Sequence, residues 1–160
     1  MNGKLVAGFI VIVALIAGGA MYWLQEYAYY SPVVFQPGAE ISLTAIESGQ
    51  PEVILADHVE GIDATSSPLR FRACFHTDLS QAMLTETYKT YDRAVPLNAP
   101  SWFSCFDAAA IGKALDSGEA IAFLAQKNIA PQIDRVVAVF PDGRAFAWHQ
   151  ISPDAEDQGQ

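Results

Sequence analysis

The sequence lacks most of the patterns that mark an enzyme. It has no G-x-S-x-G elbow, no Gly-rich phosphate loop and no C-x-x-C or H-x-x-x-H spacing. Basic residues are scarce, nine Lys and Arg against eighteen Asp and Glu, for a net charge of −9. They are scattered, and without a cluster to meet phosphates the chain is not expected to bind nucleic acid. An acidic domain is also repelled by anionic lipid, while it suits solubility or a basic protein partner. There is no internal repeat, no pattern that calls for a cofactor, and no cysteine near position 20 to carry a lipid.

One long hydrophobic run is present. Residues 5–24 (LVAGFIVIVALIAGGAMYWL) are uncharged and apolar, about 20 residues, the length a helix needs to cross a bilayer. Lys4 precedes the run and Glu26 is the first charge after it. Positive charge stays on the cytoplasmic side, which places residues 1–4 inside and the rest outside, in the periplasm of a bacterial inner membrane. Tyr22, Trp23, Tyr27, Tyr29 and Tyr30 suit the interfacial belt where such a helix leaves the membrane. Gly18 and Ala20 have the spacing of a signal-peptidase site, so a cleaved signal is the rival reading. The run extends past the usual h-region of about 7–15 residues, which favours a retained anchor.

The remainder divides into a linker (25–32), one domain (33–151) and an acidic tail (152–160) expected to be disordered. Strands are expected at 33–35, 41–45 and 53–56, with a loop over 58–68. Residues 69–76 alternate, with Leu69, Phe71, Ala73 and Phe75 on one face and Arg70, Arg72, Cys74 and His76 on the other. Asp78 with Gln81 reads as a helix start, with Leu79, Met83, Leu84 and Tyr88 as its buried stripe; the threonines that follow suit a strand as well. Asp107 caps a helix over 108–117, with Gly118 at its C′ position. Residues 120–125 are strand-like, although a helix also fits. Residues 135–140 and 145–151 are strands joined by a Pro-Asp-Gly-Arg turn, with Phe146, Trp148 and Gln150 on one face. Strands, one or two short helices and a final hairpin make an α+β domain: an antiparallel sheet with helices on one face, behind one transmembrane helix.

Cys74 and Cys105 both lie in the exported part, where an oxidising compartment favours a disulfide. A metal site is the alternative. Cys74 and His76 share a strand face, about 7 Å apart at their β-carbons, and Cys105 and His149 would complete a Cys2His2-like or copper-type set. A Cys105 nucleophile with His149 or His58 as base lacks an orienting third group. Trp102, Phe103, Arg70 and Arg72, together with the final hairpin, are the candidate interaction surface; core packing of Trp102, Phe103 and Phe106 and cross-strand pairing of the arginines with acidic residues are the alternatives.

Three segments together carry a resemblance: SSPLRFRACF (66–75), WFSCFDAAAIG (102–112) and IDRVVAVFPDGRAFAWHQ (133–150). With Trp23-Leu24-Gln25 after the anchor, the chain resembles an uncharacterised family of small single-anchor membrane proteins from alpha-class proteobacteria. The resemblance implies a domain of unknown function and supplies no site. Some members carry a histidine-kinase label. This chain has no room for both a phosphotransfer helix pair and an ATP-binding domain, and no nucleotide box. The expected role is therefore a non-enzymatic, membrane-tethered interaction or assembly module that binds another envelope or membrane protein. The alternative is a thiol or copper-handling protein using Cys74, His76 and Cys105.

Overall fold

In a computed structural model of the chain, residues 2–156 are described. The chain divides into two compact units, Met1–Tyr30 and Ser31–Gln160. The first is helix α1 (Gly3–Trp23), which runs on into a π-helical turn over Leu24–Ala28. Together they are long and apolar enough to cross a membrane, a property shared by anchors and N-terminal signal sequences.

The second unit is α+β. In chain order it holds β1 (Ser31–Pro32), β2 (Ile41–Thr44), β3 (Pro51–Ile54), β4 (Asp57–Asp63), β5 (Arg72–His76), α2 (Gln81–Thr87), α3 (Ala108–Ser117), β6 (Ile121–Ala130), β7 (Ile133–Val139), β8 (Arg144–Ile151) and α4 (Pro153–Glu156). Six strands form one antiparallel sheet in the order β1-β4-β5-β8-β7-β6. Strands β2 and β3 form a separate hairpin.

The sheet is covered on both faces, because successive side chains on each strand point in opposite directions. On one face Phe71, Ala73, Phe75, Val137, Val139, Ala145 and Ala147 pack against Ile41, Leu43 and Ile54 of the hairpin and Leu84 of α2. On the other, Phe106 meets Phe146 and Trp148 edge-on at ring-centroid distances of 6.0 and 6.4 Å. Ile111 and Ala114 of α3 share a cleft with Phe140 and Phe146 on that same side. The two helices thus lie on opposite faces rather than together on one. That explains why β5, β7 and β8 are buried almost throughout.

Local chemistry sets most boundaries. Asp107 accepts from the Ala110 amide at 3.0 Å and Gly118 closes α3 with φ 75°, as the sequence predicts. Helix α2 starts later than expected, because Ser80, not Asp78, accepts from the Met83 amide. Leu84 and Tyr88 are buried as anticipated, but Met83 is exposed. The strand expected at 33–35 falls instead at β1, with the Val33 amide donating to the Gly61 carbonyl. The largest departure is β4, within the expected loop. Its Gly61 serves a close approach rather than a turn: a Cβ there would sit 2.8 Å from Phe35 Cζ. Strand β4 is bulged near His58, whose φ is 53°. At the other end, Ser152 is buried, its amide donates to the Gln132 carbonyl, and α4 follows. The start of the segment read as a disordered tail therefore has regular structure, and residues 157–160 lie outside the described residues.

Candidate functional site

The segment from Trp102 to Asp107 is built to be held. Turn hydrogen bonds run from the Phe103 amide to the Pro100 carbonyl (3.0 Å) and from the Phe106 amide to the Phe103 carbonyl (3.3 Å). Phe103 and Phe106 turn inward and are buried, which leaves Trp102 outward with 41% of its surface exposed. Cys105 forms a disulfide with Cys74 of β5, with Cα atoms 6.3 Å apart. The disulfide ties the segment to the middle of the sheet.

Arg72 is a second tie. It is 3% exposed. Its guanidinium donates to the carbonyls of Leu97 (Nε, 2.7 Å), Leu69 and Phe71 (Nη1, 2.8 and 2.6 Å) and Asn98 (Nη2, 3.0 Å). It also lies 5.6 Å from the centre of the Phe106 ring. A guanidinium presents five donors in a planar fork, so one side chain can gather this many carbonyls. Its place in the candidate interaction surface is corrected accordingly: Arg72 is buried, and the strand face it shares with Cys74 is covered by the 94–106 segment. Arg70 is half-buried.

Trp102, Phe103, Ser104 and Cys105 line a cleft of about 460 Å³ together with Val33, Val59, Glu60 and Ile62; Ile62 is buried, and the two valines pack on the core of the opposite sheet face. Glu60 is the one ionisable side chain in the cleft lining besides the disulfide-bonded Cys105, and it stands opposite Cys74 in the β4–β5 register. The potential ligand atoms of Glu60, Cys74 and Cys105 lie within 4.8 Å of one another. Cysteine sulfur ligates a metal as a thiolate, and the disulfide leaves neither sulfur in that form.

The two histidines of the candidate metal set are placed elsewhere. His76 shares the Cys74 face but is half-exposed, with Nε2 3.3 Å from the Asp142 carbonyl and Nδ1 3.8 Å from Asp78. His149 lies on the opposite sheet face, stacked on Phe71 at 4.6 Å. Arg135 Nε donates to His149 Nε2 at 2.9 Å, so the ring proton sits on Nδ1 and is donated to the Pro68 carbonyl at 2.7 Å. Both ring nitrogens are engaged. Burial first, and the Arg135 charge second, push the His149 pKa down to about 3. Burial likewise lowers the Arg135 pKa, and the Asp63 carboxylate opposes that shift. The Arg135 guanidinium also lies 4.2 Å from the Phe71 ring centre.

Other buried polar groups are structural. Asp134 accepts from the Tyr91 hydroxyl and the Asn128 amide, both at 2.9 Å. Gln150 Oε1 accepts from Trp148 Nε1 and the Val95 amide. Among the described residues, no buried side-chain polar atom lacks a hydrogen-bond partner. A second cavity, about 560 Å³, is lined by Leu69, Val95, Leu97 and Ile151, with Arg93 and Asp116 among its polar residues.

Sequence reasoning missed Glu60 and Arg135. The first depends on strand register and the second on which rings flank it, and neither carries a local signal. The chain matches no curated protein and no solved structure at a significant level. Residues 41–158 match DUF6446, a family of unknown function, and the chain belongs to that family.

Proposed function

We propose that this chain is a non-enzymatic interaction or assembly module, tethered to the bacterial inner membrane by its N-terminal helix. Its domain lies in the periplasm and engages another envelope or membrane protein. The observation that carries this reading is the exposed Trp102 beside the 460 Å³ cleft. An indole left outward on a segment held by a disulfide and a buried arginine offers a rigid apolar contact at little cost in entropy. The groups that sequence alone favoured for chemistry are occupied otherwise: Cys74 and Cys105 by each other, His149 by Arg135 and Pro68. The charge order around α1 supports an inside amino terminus.

Site-specific photo-crosslinking in cells tests the proposal. A photoreactive residue is placed at Ser104 or Val33 in the cleft, at Val95 in the second cavity, and at Lys113 on α3 as a control. The expected result is a discrete adduct from the two cleft positions only. Adducts from Val95 alone would move the contact to the second cavity. None above the Lys113 control would remove the interaction reading.

A further inference from the structure

The kind of partner group that the Trp102 cleft fits follows from its lining. We infer that it takes a basic side chain, lysine or arginine, presented by the partner protein; the inference rests on the interaction reading above. The cleft is lined on the Cys74 face of the sheet by Trp102 and the exposed carboxylate of Glu60; Ile62 beside them is buried, and Val33 and Val59 pack on the core of the opposite face. Lysine and arginine have this composition in reverse, with an aliphatic stem that packs on apolar surface and a cationic head that seeks an acceptor. The stem lies along the indole, and the head meets Glu60 as a charge-assisted hydrogen bond. An acidic partner side chain would meet Glu60 as a like charge, and a purely apolar one would strip water from that carboxylate without replacing it. The net charge of −9 adds long-range attraction for a basic surface, which speeds encounter at low salt.

The test is nuclear magnetic resonance on the full chain in detergent micelles, titrated with the blocked peptide Ac-Ala-Lys-Ala-NH2. The control peptide carries norleucine, which keeps the stem and lacks the charge. The Trp102 indole N–H and the Gly61 amide report on the cleft. Saturable shifts are expected with the lysine peptide, about tenfold weaker with norleucine. Glu60→Gln should abolish the difference, and added salt should weaken lysine binding alone. Because Glu60 is exposed, the substitution leaves the fold in place, checked by an otherwise unchanged amide spectrum. Equal affinity for the two peptides, no saturable shift at Trp102, or a lysine preference that survives Glu60→Gln would each overturn the inference. Crosslinks from Ser104 and Val33 in cells, together with any of these results, would leave the contact site standing and remove only its preference for a basic group.

Discussion

Arg135 donates a hydrogen bond to His149 at 2.9 Å, and both side chains lie against the ring of Phe71. This geometry keeps His149 neutral down to about pH 3. A proton added to Nε2 would face a guanidinium and lose the hydrogen bond that guanidinium now donates.

Stability should therefore fall as pH drops through the histidine range. Above the unfolded pKa, near 6.5, His149 is neutral in both states and contributes fully. Below it the unfolded chain takes up a proton that the folded chain refuses until about pH 3. The expected slope from this residue is at most about 1.4 kcal/mol per pH unit. Urea midpoints between pH 7 and pH 5, above the range where carboxylates dominate, should drop in the native chain. They should drop less in His149→Asn, which starts less stable. Equal slopes would show that His149 accepts a proton in the folded domain.

The Cys74–Cys105 disulfide closes a loop with a sequence separation of 31. In the chain-entropy account, a closure of that size stabilises by roughly 3–4 kcal/mol. Cys74→Ala/Cys105→Ala should lower the urea unfolding free energy by about that amount. In the native chain both thiols should resist alkylation until reductant is added, read by intact mass. Immediate labelling of both would show that the pair is open in solution.

How much of this was legible in the sequence depends on the range of the signal. The last hairpin and α3 were readable because Asp142-Gly143, Asp107 and Gly118 are local instructions for a turn and two caps. The disulfide was foreseeable because only two cysteines exist and both follow the apolar run. Strand β4 was not, because Gly61 and Asp63 look like loop residues until Phe35 is seen lying over Gly61. The alternation in β5 correctly separated Phe71 from Arg72, but not which face met water. That depends on α3 and the 94–106 segment folding over it, a tertiary event with no signature inside residues 69–76. The Cys74, His76, Cys105 and His149 set fails for the same reason. Shared residue chemistry says nothing of sheet face, and His149 is on the wrong one.

Arg72 should behave as a structural clamp rather than a contact residue. Arg72→Met keeps the stem and deletes the donors to four carbonyls. Leaving buried carbonyls without partners costs about 1–3 kcal/mol for each group that water cannot reach. Arg72→Lys should recover only part of the loss, because a three-donor ammonium cannot span the same fork. Urea midpoints of the two variants separate the effects. If Arg72→Lys matches the native chain, charge alone explains the residue and the planar fork is irrelevant.

Gly118 and Gly143 have similar backbone angles, φ 75° and 85°, but different surroundings. Nothing lies within 4 Å of a Cβ built on Gly118, whereas one on Gly143 would sit 2.6 Å from the Thr77 carbonyl oxygen and 2.5 Å from His76 Nε2. Alanine at either position bears the left-handed penalty, about 1–2 kcal/mol. Gly143→Ala must in addition push on the β5 end, where the Thr77 amide donates to the Gly143 carbonyl at 2.9 Å. His76 can swing away, but the backbone oxygen cannot move without disturbing that hydrogen bond. Gly143→Ala should therefore be the more destabilising of the two by at least about 1 kcal/mol, on the scale of overpacking effects. Equal losses would mean that the turn relaxes away from Thr77, and the junction between β5 and the final hairpin would then be softer than its contacts suggest.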